Sequence, residues 1–272
     1  MTPTNEDMEL LGLAAMAARR AGEALLARFR RAPEGLTTKS SPTDVVSDAD
    51  READTLIQQT IRAARPADDF LTEESGALGG GAPVRWIVDP LDGTVNYLYG
   101  IGHFAVSIAA ERRGEVVAGV VFNPVTGELF EAVRGGGARV NGGVLACTRV
   151  ASLDRALVAT GFYYTPETRA AQVDVVRVLV PRVRDLRRAG AASLDLAAVA
   201  AGRLDAYYEA PLGGLWDSAA GQLLVEESGG VVRELVAPWA STPGVIAAGA
   251  ELMPIFEAEI RALLRGPDAA AV

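Results

Sequence analysis

The segment from Trp86 to Thr94 contains the residues best suited to bind a metal ion or to take part in a reaction. It reads Trp-Ile-Val-Asp-Pro-Leu-Asp-Gly-Thr. The two β-branched residues before the first aspartate suit a buried strand, and the proline and glycine favour a rigid turn. Such a turn would present the carboxylates of Asp89 and Asp92 to a metal ion. Seen alone, the pattern favours an ordinary strand followed by an Asp-rich loop, so the rest of the chain has to decide between the two interpretations.

Further acids stand at the ends of predicted strands or at the starts of predicted helices. They are Asp44 and Asp50, Glu73 and Glu74, and Asp217. Carboxylates that converge without partners repel one another, so cations would be needed to hold them together. This distribution predicts a site for several Mg²⁺ ions.

Composition restricts the kind of metal. The 272-residue chain contains one histidine, His103, and one cysteine, Cys147. A site built from several imidazoles or thiolates is therefore excluded, which favours Mg²⁺, Mn²⁺ or Ca²⁺ over zinc. We expect His103 to have a structural or rim role and Cys147 to be a partly buried spectator.

Charge and hydropathy restrict the class of partner. The chain has 35 acidic and 26 basic residues and a formal net charge of -9, which argues against a cationic surface for nucleic acid. No apolar run approaches the roughly 20 residues that span a bilayer, and the first residues lack the pattern of a signal peptide. We expect no nucleic-acid or membrane partner and a cytoplasmic location.

Apolar spacing predicts the elements of the first half. A helix is predicted over residues 6–31, and a second begins after Ser47, a candidate N-cap with Asp50 at the capping-box position. Residues 76–83 are rich in glycine and are expected to form a mobile surface loop. The strands that follow should form an antiparallel meander. They cover residues 104–112, 115–122 and 128–133.

From residue 157 onward, predicted strands and helices alternate, which favours an α/β layer with helices on both faces. We therefore divide the chain into an N-terminal α+β half, 1–152, that carries most of the candidate ligands, and a C-terminal α/β half, 153–272, that supplies Asp217 and the substrate pocket. Asp195 and Asp205 in this second half are expected to be caps or surface acids.

Five motifs occur in order along the chain. They are Lys39-Ser40-Ser41-Pro42 with Asp44 and Asp50, Glu73-Glu74-Ser75, Asp89-Pro90-Leu91-Asp92-Gly93-Thr94, Gly190-Ala191-Ala192-Ser193-Leu194-Asp195, and Trp216-Asp217-Ser218-Ala219-Ala220-Gly221. Their order and spacing resemble the inositol monophosphatase family over nearly the whole chain. The resemblance implies an alternating αβαβα sandwich of the inositol monophosphatase and sugar phosphatase type.

The resemblance also implies a set of metal ligands. Glu73, Asp89 and the carbonyl oxygen of Leu91 would hold a first Mg²⁺, and Asp89, Asp92 and Asp217 would hold a second. Bridging by Asp89 would keep the ions roughly 3.5–4 Å apart, a spacing that suits the attacking and leaving oxygens of an in-line displacement. A third, weaker ion is expected near Glu73, so the site would take two to three ions.

Catalytic roles follow from the same resemblance for Glu73, Thr94 and Asp50. Thr94, hydrogen-bonded to Asp50, would orient and deprotonate a water bound to the first metal, and this water would attack phosphorus in line. The backbone N–H groups of Gly93 and Thr94 would cradle the phosphate. No covalent intermediate is required, and no Cys-His or Ser-His pair accompanies these acids.

The alcohol part of the substrate would meet Asp92, Glu209, Gly190 and Ala192. A carboxylate that accepts hydrogen bonds from two hydroxyl groups can recognise a polyol. The segment 210–215 is one residue longer than is usual in the resembling enzymes, so Glu209 could sit differently here.

The implied activity is Mg²⁺-dependent hydrolysis of inositol monophosphate by a homodimer that is sensitive to Li⁺. Related phosphatases for histidinol phosphate, fructose 1,6-bisphosphate or nucleotide 3′-phosphate share the metal site and remain alternatives. A bisphosphate would need basic residues around the pocket, for which Arg187, Arg188 and Arg203 are the candidates. A non-catalytic regulatory or binding protein on the same fold is a second alternative.

Overall fold

The computed structural model describes residues 2–31, 35–38 and 45–265. Its helices are α1 (Asn5–Arg28), α2 (Asp48–Ala64), α3 (Thr94–Leu98), α4 (Pro166–Leu179), α5 (Ala192–Ala200), α6 (Ala219–Glu227) and α7 (Met253–Arg265). Its strands are β1 (Thr37–Thr38), β2 (Val45–Val46), β3 (Asp69–Thr72), β4 (Gly76–Leu78), β5 (Val84–Asp92), β6 (Ala105–Arg112), β7 (Glu115–Asn123), β8 (Glu128–Val133), β9 (Gly137–Val140), β10 (Gly143–Val144), β11 (Leu157–Thr160), β12 (Asp185–Arg187), β13 (Ala206–Glu209), β14 (Gly230–Leu235) and β15 (Gly244–Gly249).

In the described part of the chain, the strands form two main sheets and a small β1-β2 ladder. The first sheet has eight strands in the order β10-β9-β8-β7-β6-β5-β3-β4, and the second has five in the order β12-β11-β13-β15-β14. The predicted meander is confirmed, because β6, β7 and β8 pair antiparallel in sequence order. None of the helices in these ranges is long and apolar enough to cross a bilayer.

The two sheets and their helices stack in five layers. Successive side chains of strand β6 point to opposite faces of the first sheet. Val106 and Ile108 face α1 and α2, whereas Ala105 and Ala109 face α5 and α6. Helices α5 and α6 lie between the sheets, and α4 and α7 cover the outer face of the second sheet. The predicted αβαβα sandwich is confirmed, while the division between residues 152 and 153 stays a prediction.

The glycine-rich segment 76–83 is more ordered than the sequence indicated. Residues Gly76–Leu78 form the edge strand β4, which pairs antiparallel with β3. The carboxylate of Asp69 then accepts hydrogen bonds from the N–H groups of Gly80, Gly81 and Ala82. The expectation of a mobile loop was wrong here, because a single aspartate from the neighbouring strand satisfies three consecutive backbone donors.

The two aspartates of the opening segment also lie on a strand rather than on a turn. Strand β5 continues to Asp92, but its register against β6 shifts between Asp89, paired with Ser107, and Asp92, paired with Ala105. Side chains three residues apart on a regular strand point to opposite faces. The bulge inserts one extra residue, and both aspartates consequently line the same pocket.

Candidate active site

Parallel pairing of β3 with β5 brings the first two acidic motifs together. The N–H of Glu73 donates to the carbonyl of Val88 at 3.0 Å, which places Glu73 beside the carboxyl end of β5. The carboxyl groups of Glu73 and Asp89 are in hydrogen-bonding contact. Two acids from separate motifs therefore meet at the carboxyl ends of two paired strands.

The start of α2 delivers Asp50 to the same edge. Ser47 caps the helix, and its N–H and hydroxyl donate to Asp50 Oδ2 at 2.9 and 2.6 Å, which confirms the predicted capping box. The other carboxylate oxygen of Asp50 lies 3.0 Å from the hydroxyl of Thr94. That hydroxyl is also 3.0 Å from the carbonyl oxygen of Leu91, and its single proton can serve one acceptor at a time. The Thr94–Asp50 contact is present, and its catalytic role stays a prediction.

Gly93 forms the tight junction between β5 and α3. Its φ of 89° is left-handed, and a side-chain carbon there would lie 3.0 Å from the carbonyl oxygen of His103 and 3.3 Å from Ala191. Only glycine tolerates both conditions. The helix that follows begins at Thr94, so Gly93 and Thr94, which line the same pocket as the acids, precede N–H groups without partners in the helix.

The N-terminus of α5 holds Asp92. Its carboxylate accepts hydrogen bonds from the N–H groups of Ala192 and Ser193 at 3.2 and 2.8 Å and from the hydroxyl of Ser193. A carboxylate is favoured at this end of a helix. Ala192, which the resemblance assigns to the substrate pocket, thus donates its N–H to Asp92 here.

Asp217 enters from the loop between β13 and α6. Its Oδ2 atom accepts from the N–H groups of Gly213 and Gly214 at 2.7 and 3.2 Å. One carboxylate oxygen is used in this way, and the other has no hydrogen bond within the described ranges.

One pocket gathers the candidate residues predicted for metal and substrate. Its lining includes Glu73, Asp89, Leu91, Asp92, Gly93, Thr94, Gly190, Ala192, Glu209 and Asp217. Asp50 touches this lining through Thr94, and Lys39 and Asp44 lie outside the described residues. The pocket thus brings together residues that are up to 144 positions apart in the chain. The individual roles of these residues remain predictions.

Like charge and burial raise the pKa values of the pocket acids. The pKa of Asp89 is raised well above its usual range by burial, then by repulsion from Glu73, Asp92 and Asp217. Burial raises the pKa of Asp92 to about 6 against the hydrogen bonds from Ser193, and burial and the neighbouring acids likewise raise the pKa of Asp217. The pocket is therefore a strongly acidic environment in which added positive charge would be stabilising.

The donor set fits a hard cation in chemistry. It consists of carboxylate oxygens and the Leu91 carbonyl, which are the ligands that Mg²⁺ prefers. Across residues 2–31, 35–38 and 45–265, however, no three or more acidic, histidine or cysteine side chains are already arranged to hold an ion. Asp92 and Asp217 instead turn oxygens towards backbone N–H groups.

Glu209 lies in the pocket despite the longer segment that follows it. The hydroxyl of Tyr207 donates to its Oε2 atom, and burial raises the pKa of Glu209 to about 7. A side-chain carbon at Gly161 would lie 1.9 Å from the same Oε2 atom. Gly161 is therefore required for this placement, a role that no local sequence signal indicated.

Two acids of the second half, Asp195 and Asp205, were misjudged from sequence. Asp195 was expected to be a cap or a surface acid, but it is 3% exposed and lines the pocket. Asp205 is also buried, where it accepts from the hydroxyl of Thr148 and the N–H of Leu157. The spacing of Asp195, three residues after Ala192 on one helix, could have identified it, because such positions share a face.

The candidate arginines separate in the structure. Arg187 pairs with Asp185 and Arg203 with Glu128, whereas Arg188 lines the pocket, 5.9 Å above the ring of Phe162. Phe162, Tyr163 and Tyr164 form part of the same lining.

The single histidine and cysteine lie outside the pocket lining. His103 contributes its backbone carbonyl, which accepts from the side-chain amide of Asn96 at 2.7 Å, and burial lowers the pKa of its ring. Cys147 is half-buried, with its Sγ atom 3.8 Å from the carbonyl oxygen of Val225. Both placements agree with the structural roles expected for them.

Comparison with known proteins identifies the family of this chain. The model of the inositol monophosphatase family matches residues 6–260. An inositol-1-monophosphatase from Rhizobium meliloti is 45% identical over 224 residues, which cover 81% of this chain and 84% of that protein. Nus factor SuhB from Escherichia coli strain K12 is 42% identical over 228 residues, 83% of this chain and 85% of that protein.

Solved structures show the same arrangement. The crystal structure of the extragenic suppressor protein suhB from Bartonella henselae superposes with a TM-score of 0.85 at 38% identity. The superposition covers 95% of this chain and 99% of that chain. Among these relatives, one is named as a phosphatase and another as a Nus factor.

Proposed function

The chain belongs to the inositol monophosphatase family, and on that basis we propose that it is a Mg²⁺-dependent phosphomonoesterase that hydrolyses inositol monophosphate to inositol and phosphate. The observation that carries the proposal is the gathering of Glu73, Asp89, Asp92 and Asp217 in one buried pocket, beside the Thr94–Asp50 hydrogen bond. The pKa values of Asp89, Asp92 and Asp217 are all raised, and such a cluster of acids is costly in a protein unless it serves a cation.

We propose that Glu73, Asp89 and the Leu91 carbonyl hold one ion and that Asp89, Asp92 and Asp217 hold another, with a third, weaker ion near Glu73. When bound, Mg²⁺ supplies positive charge that lowers the pKa of a water and neutralises the developing charge on the phosphate and the departing oxygen. Asp217 would offer the carboxylate oxygen that its N–H partners leave free. Asp92 would share its two oxygens between the ion and the donors at the start of α5.

The residues of the chain then have separate tasks. Thr94 donates its proton to Asp50 and so presents an oxygen lone pair to the attacking water. As the water oxygen bonds to phosphorus, the bond from phosphorus to the alcohol oxygen breaks, the water proton passes through Thr94 towards Asp50, and the alcohol takes a proton from solvent. The N–H groups at Gly93 and Thr94 stabilise the phosphate.

Inositol monophosphate is the favoured substrate because the far wall of the pocket is acidic, with Glu209 as a hydroxyl acceptor and Gly190 and Ala192 beside it. A second phosphate, as in fructose 1,6-bisphosphate or a nucleotide bisphosphate, would find Arg188 as the one pocket-lining residue of the three candidate arginines. The acids of the same lining would repel it. Histidinol phosphate shares the metal chemistry and remains the alternative that the kinetic panel below has to exclude.

The relatives named Nus factor raise the alternative of a non-catalytic binding role on this fold. The net charge of -9 does not favour direct binding of nucleic acid. We propose, with the enzymatic function, a homodimer located in the cytoplasm, and inhibition by Li⁺ in place of a bound Mg²⁺.

The test is phosphate release from inositol, histidinol, fructose and nucleotide phosphates at one Mg²⁺ concentration, with and without a chelator. We expect the highest kcat/KM for inositol monophosphate and complete loss of turnover with the chelator. Asp154→Asn, which removes an exposed acid outside the pocket, is the matched control and should keep full activity. Absence of metal-dependent turnover on every ester would refute the proposal and favour the binding role.

A further inference from the structure

Asp195 differs from the other buried aspartates of the described chain in having no hydrogen-bond partner. It lies in the first turn of α5 with 3% of its surface exposed. The other buried aspartates all accept hydrogen bonds from the protein. They are Asp7, Asp50, Asp54, Asp68, Asp89, Asp92 and Asp205. A buried carboxyl group without a partner is unusual and calls for an explanation.

Its surroundings point to a ligand. Asp195 lines the pocket together with Glu209 and Asp92. Asp92 already takes the N–H groups of Ala192 and Ser193, and the N–H of Asp195 itself donates to the carbonyl of Ala191. Glu209 has one oxygen bound by Tyr207, and its other oxygen has no hydrogen bond in the described ranges. Two carboxyl groups on one wall thus have acceptor capacity that the protein itself does not use.

Hydroxyl groups are the donors that match this wall. A hydroxyl donates to a carboxylate without adding charge, and neighbouring hydroxyls on a ring can reach two carboxyl groups at once. A second phosphate on the same side would meet two like charges in a buried setting, which is strongly unfavourable. An ammonium group would be attracted, but the guanidinium of Arg188 lines the same pocket and opposes it.

We infer that Asp195 is a further specificity-determining residue, which binds a ring hydroxyl of an uncharged polyol monoester beside the hydroxyl held by Glu209. This inference rests on the proposed function, since it concerns the alcohol side of the same pocket. It makes the pocket selective for polyol phosphates over esters of plain alcohols and over bisphosphates.

The experiment compares Asp195→Ala and Asp195→Asn with the wild-type enzyme on four esters. These are inositol 1-phosphate, an inositol phosphate lacking one ring hydroxyl, histidinol phosphate, and phenyl phosphate, which has no hydroxyl on its alcohol side. A hydrogen bond to a charged group contributes about 1.5–3 kcal/mol, or about tenfold to a hundredfold in kcat/KM. Asp195→Ala should lose this factor on inositol 1-phosphate and change less than threefold on phenyl phosphate, and Asp195→Asn should recover part of the loss.

The deoxy substrate separates recognition from a structural effect. For the deoxy compound that lacks the hydroxyl bound by Asp195, the wild-type enzyme should lose the same factor, and Asp195→Ala should lose nothing further. Equal losses on all esters, or no loss on inositol 1-phosphate, would overturn the inference. So would a larger loss on histidinol phosphate than on inositol 1-phosphate, because Asp195 would then recognise a cation.

The readouts keep the two proposals distinct. A wild-type protein without metal-dependent turnover on any ester contradicts the proposed function as a whole. An active wild type whose Asp195 variants show no ester-dependent loss contradicts only the role of Asp195. Thermal unfolding of each variant shows that it is folded, and Asp195→Asn keeps the shape of the side chain if Asp195→Ala does not fold.

Discussion

Replacement of Glu209 by glutamine should stabilise the metal-free protein at neutral and alkaline pH. Burial raises the pKa of Glu209 from 4.5 to about 7, although the hydrogen bond from Tyr207 and the charge of Arg188 oppose the rise. The folded protein therefore keeps a proton that the unfolded chain releases above pH 4.5. The stability associated with Glu209 is fully present below pH 4.5 and is lost as the pH rises to about 7.

The size of the effect follows from the pKa. A difference of one pKa unit corresponds to 1.36 kcal/mol, so the ionised Glu209 destabilises the folded state by about 3 kcal/mol at most. Glu209 keeps some exposure at the pocket wall, and solvent screening reduces the expected gain to about 2 kcal/mol. The glutamine carbonyl can still accept the hydrogen bond from Tyr207, so at pH 4 the variant and the wild type should be nearly equal.

The assay is urea unfolding of both proteins between pH 4 and 9 in the presence of a chelator. Glu128→Gln is the matched control of opposite sign, because the hydrogen bond from Arg203 lowers the pKa of Glu128. That variant should be less stable than the wild type at pH 8, and the difference should shrink as the pH falls through the pKa of Glu128. Two results would refute the burial of the Glu209 charge as the cause of the pH-dependent stability. The first is a Glu209→Gln protein that is no more stable than the wild type at pH 8. The second is equal stabilisation of this variant at pH 4 and pH 8.

Three further substitutions test the site. Asp89→Asn should lower kcat by about a thousandfold or more, because the proposed shared metal ligand supports several kcal/mol of transition-state stabilisation. Phosphate release at saturating Mg²⁺ measures this loss, and near-normal turnover would contradict the bridging role. Thr94→Val should lower kcat by about 10²–10⁴ with little change in KM, as expected for a group that transfers a proton. Thr94→Ser keeps the hydroxyl and should retain most of the wild-type kcat. Equal kcat values for the valine and serine variants would exclude a role of the hydroxyl in proton transfer. Gly161→Ala places a carbon 1.9 Å from Glu209 Oε2 and should raise KM for inositol monophosphate about tenfold. Gly12→Ala, with nothing within 4 Å on an exposed helix face, should leave KM unchanged and add about 0.5–1 kcal/mol of stability; a similar KM in both alanine variants would contradict the proposed contact.

Much of the fold could be predicted because the informative signals are local. The capping box of Ser47 and Asp50 depends on residues three positions apart, and the meander β6-β7-β8 joins strands that are neighbours in sequence. The order of helices and strands in the second half likewise specified the layers. Signals of this range are visible without knowledge of the packing.

The bulge in β5 could not be predicted from local sequence signals. Pro90 and Gly93 suggested that the strand ends before Asp92, yet pairing with β6 extends it to that residue. The pairing is a long-range interaction, and it alone decides that Asp89 and Asp92 point into one pocket. The ordered segment after β4 has the same cause, since its donors are held by Asp69 from the adjacent strand.

Asp195 shows most clearly what local sequence does not contain. A charged residue on a helix is normally solvated, which is why Asp195 was expected at the surface. Helix α5, however, is buried on nearly every side because it lies between the two sheets. Only the five-layer packing removes the solvent-facing side of this helix and turns its acid into the pocket.

The sequence by itself determined the chemistry of the candidate site: acids and a carbonyl without imidazole or thiolate clusters, in an order that matches one family of phosphatases. The tertiary structure decided which of those acids share a pocket, which are held by backbone donors, and which have acceptor capacity left for a ligand. The physical reason is that residue type fixes what a group can bind, whereas burial and hydrogen bonding across distant segments fix what remains available for it to bind.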